Sequence, residues 1–220
     1  MSIEGTPGTK KGTVLLVTVG LAWLAIVVTG MAVFMQYENS AGVSAEAPGD
    51  WPAESQIQRV KSRAVLIVLV HPHCPCTRAT ISELARLMAR VGDRLDAHVV
   101  FTKPEGVAQG WERTDIWTSA AQIPRVNVVS DDEGVESQLF GARTSGQSLL
   151  YDKSGKLVFS GGITIGRGAE GDSVGAAAIA SFVTDETGPA AATRVFGCQL
   201  FADESYCRMS EEPPNAEPTR

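Results

Sequence analysis

"HPHCPC" at residues 71–76 places two imidazoles and two thiols within one short stretch, and these groups support more than one chemistry. Cys74 and Cys76 can exchange electrons as a thiol–disulfide pair. Together with His71 and His73 they also offer a ligand set soft enough for Cu(I) and suitable for Zn(II). In a third reading they are purely structural, each paired with one of the later cysteines, Cys198 and Cys207. Four cysteines allow three pairings, and the sequence does not choose among them.

The flanking residues decide what holds the cluster. "RAVLIVLV" (63–70) is a continuous β-branched run, as expected of a strand buried on both faces. After the cysteines the period changes. Ile81, Leu84, Ala85, Met88 and Val91 repeat at helical spacing, Glu83, Arg86 and Arg90 take the other side, and Gly92 is a stop. Cys74 and Cys76 therefore sit at a strand-to-helix junction. A thiol there meets unpaired N–H groups and the positive end of the helix dipole, which favour thiolate. A protonated His71 or His73 would add to this. Pro75 has no N–H to lose at a helix start and fixes φ between the two sulfurs. A disulfide between residues i and i+2 closes a very small ring, so it should be strained and easily reduced. Cys74, ahead of the helix and open to a partner's sulfur, is assigned the attack, and Cys76 the resolving step.

The remaining elements follow from pattern. "LDAHVVFT" (95–102) reads as a strand, 105–123 as a loop and helix, "RVNVVSD" (125–131) as a short strand and "GVESQLFGA" as a helical turn. "QSLLYDKSGKLVFS" (147–160) reads as a hairpin turning at Asp152, Ser154 and Gly155. A Gly-rich loop (161–172) leads to a helix near 173–183. The order is α/β, closed by an antiparallel hairpin.

Upstream, Thr13 to Met35 has 23 residues without a charge, enough to span a hydrocarbon core that needs ~20. Lys10 and Lys11 precede it, and only acids follow until Arg59, so the expected topology is residues 1–12 cytosolic, 13–35 in the membrane and the rest outside. A cleavable signal ending near "VSA" (43–45) would have a shorter apolar region. Residues 36–57 read as a tether, 58–185 as the folded domain and 186–220 as an extension carrying Cys198 and Cys207, a candidate structural disulfide. Outside the cytosol, in a compartment such as the bacterial periplasm, disulfides persist.

The buried strand ending in a His/Pro/Cys cluster, the amphipathic helix and the "SLLYDKSGKLVFSGGI" hairpin resemble membrane-anchored thioredoxin-like proteins of the thiol–disulfide and peroxiredoxin-like branch. The resemblance covers roughly residues 58–185. It implies a thioredoxin-like fold, a central mixed sheet flanked by helices, acting on protein thiols or disulfides outside the cytosol without a cofactor. The family's site is Cys-x-x-Cys facing a cis-proline loop. Here the motif is Cys-Pro-Cys, and "RTSGQS" puts Ser145 or Gly146 where Thr-Pro would stand. His71 occupies the place of the peroxidatic threonine. By the same resemblance Ser145, Gly146, Gly161, Gly162 and Ile163 would line the partner groove. The metal alternative also resembles a family, the thioredoxin-like copper chaperones of respiratory-oxidase assembly, whose distant histidine has one candidate here, His98. A non-catalytic interaction module is the third class.

Other functions find less in the sequence. A net charge of −6 gives no reason to expect nucleic acid. "GRGAEG" (166–171) matches a dinucleotide fingerprint in letters, but it follows a hairpin rather than the first strand of a βαβ unit, so no nucleotide is expected.

Overall fold

A computed structural model describes residues 8–43, 46–185 and 191–201 of the chain. It divides into two compact units, Met1–Ser40 and Ala41–Arg220. In the first, α1 (Gly8–Glu38) is long and apolar enough from Gly12 to Glu38 to cross a membrane, and Leu16, Trp23 and Ile26 leave their side chains exposed. The helix fits a single-pass anchor.

The second unit is built on β1 (Ala64–Val70), β2 (Leu95–Lys103), β3 (Val126–Asp132), β4 (Gln147–Tyr151), β5 (Leu157–Gly161) and the two-residue β6 (Ala191–Ala192), in the order β3-β2-β1-β4-β5-β6. β1 runs parallel to β2 and antiparallel to β4. Every residue of β1 is buried. Leu66, Val68 and Val70 face one core with α2 (Pro75–Val91) and α5 (Val174–Asp185), while Val65, Ile67 and Leu69 face a second with Phe140, Leu149, Tyr151 and Leu200. The short helices α3 (Asp115–Ala121) and α4 (Val135–Leu139) flank β3. A central mixed sheet with β1-α2-β2 on one side and the β4–β5 hairpin followed by α5 on the other is the thioredoxin-like arrangement that the resemblance implied.

Two stretches read as a tether and an extension are packed parts of this unit. Residues 46–57 carry Trp51, which meets Phe140 and Tyr151 edge-on at ring-centroid distances of 5.2 Å, and Ile57, which is buried. Residues 191–201 supply β6, parallel to β5, and bury Val195 and Leu200. Apolar side chains within a polar composition account for both: each has a core to reach. Cys207 lies outside the described residues.

Candidate functional site

The site forms where β1 gives way to α2. His71–His73 make a turn closed by the Cys74 amide donating to the His71 carbonyl at 3.2 Å. Cys74 is the N-cap, with extended backbone (φ −79, ψ 121), and Pro75 occupies the first helical turn, where its missing N–H costs nothing. Thr77 ties the turn down: its amide donates to the Cys74 carbonyl at 3.0 Å and its hydroxyl to the His71 carbonyl at 3.0 Å.

Three sulfurs, not two, meet here. The Sγ atoms of Cys74, Cys76 and Cys198 all lie within 4.8 Å of one another, and those of Cys74 and Cys198 are 2.9 Å apart. Cys74 is 2% exposed and Cys76 half-buried, the reverse of the accessibility expected from position alone, because the segment carrying Cys198 lies over Cys74. Hydrogen bonding from Cys198, then from Cys76, pulls the Cys74 thiol far below its ordinary value against the opposing effect of burial. Cys198 is pushed up, first by Cys74 and then by Cys76 and burial. For Cys76 the Cys198 hydrogen bond pulls down, but the bond to Cys74, burial and the Cys74 charge together raise it. These shifts favour thiolate at Cys74, at the α2 N-terminus, over thiolate at Cys76 or Cys198.

Burial pushes His71 below its ordinary 6.5, with the Cys74 charge opposing and His73 reinforcing, which favours the neutral ring. His71 Nδ1 accepts the His73 amide at 3.2 Å, and His73 Nε2 lies 3.1 Å from the Trp111 carbonyl oxygen. The His73 ring rests against Trp111 at 4.3 Å between centroids. His98 is mid-strand in β2, opposite Ile67 and Asn127, and is not part of the sulfur cluster.

The loop before β4 completes the site. The Gly146 amide donates to the Leu69 carbonyl at 2.8 Å, with φ +92 at Gly146, a conformation glycine adopts without strain. Ser145 Oγ accepts the His71 amide at 2.9 Å and lies 2.9 Å from Thr77 Oγ1. Ser145 and Gly146 are thus at the cysteines. Gly161, Gly162 and Ile163 do not present a groove surface: the glycines are packed against Thr193 and Arg194, and Ile163 is fully buried in the core. Residues of the C-terminal segment occupy that face instead.

Sequence reasoning missed three contributors. Cys198 is read from sequence only as a structural cysteine, paired with Cys207 or with one of the two in the turn, and Trp111 and Arg167 are given no role in the site. Arg167 Nη1 donates to the Gly197 carbonyl at 2.8 Å, and its charge reaches Cys76. Apolar Val195 and Leu200 on either side of Cys198 were the available signal that this cysteine is not in a solvated tail.

No protein-family model and no curated protein matches the chain. Among solved structures, a hypothetical protein from Sinorhizobium meliloti 1021 matches with a TM-score of 0.52 at 17% identity, covering 73% of this chain and 93% of the other. An uncharacterized conserved protein from Geobacillus kaustophilus matches with a TM-score of 0.52 at 14% identity, covering 76% and 93%. The pneumococcal exposed lipoprotein thioredoxin from Streptococcus pneumoniae strain TIGR4 matches with a TM-score of 0.43 at 16% identity, covering 64% and 99%. At these identities the likeness is one of fold.

Proposed function

We propose that the thioredoxin-like unit is a thiol–disulfide oxidoreductase acting on protein thiols or disulfides outside the cytosol, held at the membrane by α1. The observation that carries this reading is the buried Cys74 sulfur at the start of α2, its thiolate favoured by two neighbouring thiols. Thiolate is the form that attacks a disulfide, and a second thiol within reach is what releases the mixed disulfide so formed. Cys74 is the attacking residue, and Cys76, Pro75, His71 and His73 shape the turn that holds it. Ser145 and Gly146 border the place where a partner's disulfide would arrive.

The purified full chain in detergent, with its cysteines reduced, should release thiols from a protein disulfide such as insulin, and Cys74→Ser should lower that rate to the uncatalysed level. Equal rates for wild type and Cys74→Ser would leave the non-catalytic interaction module as the better reading. For location, a membrane-impermeant maleimide added to intact cells should label the half-exposed Cys76; labelling only after lysis would put the domain in the cytosol.

The same three sulfurs favour one other reading, a soft metal ion held by Cys74, Cys76 and Cys198. His71, whose Nδ1 accepts the His73 amide, and His73, whose Nε2 lies against the Trp111 carbonyl, take no part in that cluster. Thiolates bound at ~2.3 Å around one ion stand roughly 4 Å apart. The 2.9 Å between Cys74 and Cys198 would have to open by about 1 Å to hold an ion, and on a thioredoxin-like sheet the redox reading stands first. Copper or zinc retained by the purified chain at one equivalent, and lost in Cys198→Ser, would reverse that order.

A further inference from the structure

Residues 193–201 lie across the loop that precedes β4. The Ser145 amide donates to the Cys198 carbonyl at 2.8 Å, the Leu200 amide donates to the Arg143 carbonyl at 3.0 Å, and Thr144 and Gln199 form an antiparallel bridge. Thr193 Oγ1 accepts the Gly162 amide at 3.1 Å, and Arg167 holds the Gly197 carbonyl. Buried Val195 and Leu200 anchor the stretch on either side of the cysteine. An extended peptide is thus paired with the loop beside the active turn, and it delivers a sulfur to Cys74.

The two thiols next to Cys74 are unequal as bonding partners. Cys198 approaches from 124 residues away and stops at 2.9 Å, which must shorten by less than ~1 Å to reach the ~2.05 Å of a disulfide. Cys76 is two residues along the same turn, with Cys74 at the extended N-cap and Cys76 in the first turn of α2. A bond between residues i and i+2 closes a very small, strained ring, so a Cys74–Cys76 disulfide is the harder of the two to form.

We propose that Cys198 is a third redox residue of this site: the disulfide of the oxidised domain joins Cys74 to Cys198, and the segment carrying Cys198 occupies the berth of a partner's disulfide-bearing peptide. This rests on the thiol–disulfide reading above. The segment lifts, and the Cys74 thiolate attacks one sulfur of the partner's disulfide. That S–S bond breaks as the Cys74 mixed disulfide forms, and the partner's other sulfur leaves as thiolate. The segment then returns, and Cys198 loses its proton and attacks Cys74 Sγ. The mixed bond breaks, the partner's second sulfur leaves, and a proton is taken up by the departing thiolates. Two electrons have passed from Cys74 and Cys198 to the partner. Run backwards, the same steps oxidise a partner dithiol.

The test uses the full chain oxidised with diamide, alkylated and digested with trypsin without reduction. The expected product is the 64–78 peptide linked to the 195–208 peptide, each carrying one alkylated cysteine. The link should be lost in Cys198→Ser and retained in Cys76→Ser/Cys207→Ser, where Cys74 and Cys198 are the only thiols left. With insulin, Cys198→Ser should accumulate a mixed disulfide through Cys74 and Cys76→Ser should not. A bond internal to either peptide in the wild type, or no link in the double variant, overturns the assignment of Cys198. Those results leave the proposed function standing wherever exchange still depends on Cys74; exchange indifferent to Cys74 removes both.

Discussion

At Ser145 one hydroxyl holds two parts of the site together. It accepts the His71 amide at 2.9 Å and lies 2.9 Å from the Thr77 hydroxyl, while the residue itself is 2% exposed. Ser145→Ala leaves a part-buried N–H without its partner, which costs about 1–3 kcal/mol. Chemical denaturation should show a lower midpoint at unchanged slope, and a midpoint equal to wild type would mean that water or Thr77 replaces the hydroxyl. The residues at the junction were legible in the sequence because strand and helix periods change across "HPHCPC". The partnership between Cys74 and Cys198 was not, since 124 residues separate them and local pattern carries no information about which distant segment lies over a site. The accessibility of Cys74 was misjudged for the same reason.

At the level of elements, the Cys198 segment depends on a close backbone approach. A Cβ at Gly197 would overlap the Ser145 carbonyl oxygen, so Gly197→Ala should undock the segment while leaving β1–β5 intact. Each 1.4 kcal/mol of docking lost makes the open form about tenfold commoner. Alkylation of Cys74 should accelerate accordingly, by at least about tenfold, with the circular-dichroism spectrum unchanged; an unaltered rate would mean that the segment does not control access to Cys74. The elements that the sequence announced are those with long periodic runs: β1, whose seven residues are all buried, α2 with its single apolar face, and the hairpin around Asp152. β6 spans two residues and 46–57 has no regular period, so neither offers a pattern to read. Trp51 and Ile57, lone apolar residues among polar ones, were the trace they left.

For the whole molecule, the half-buried His71 and the buried His98 contribute to the response to acid. Burial holds His71 and His98 below their ordinary 6.5, with Cys74 and Asp96 respectively working against it. His98 Nδ1 is buried without a hydrogen-bond partner among the described residues. The unfolded chain therefore takes up protons near pH 6.5 that the folded chain refuses, and stability falls as pH drops through that value. Asp131 acts in the opposite direction, its carboxyl raised by burial against hydrogen bonds from Ser137 and Glu136, so its protonation favours the folded chain. Between pH 7.5 and 5.5 the melting temperature of His98→Gln should decline less than that of wild type, and parallel declines would show that His98 is not a source of the pH dependence. The fold could be read in outline because β1-α2-β2 and the hairpin are contiguous in sequence. The last stretch of the site could not, because it comes from the far end of the chain, and that position also sets an order in time. A chain made from its N-terminus at ~5–20 residues per second exposes Cys74 about 6–25 s before Cys198 is synthesised, given the 124 residues between them. During that interval the nascent domain carries Cys74 uncovered, with Cys76 as the one other cysteine yet made.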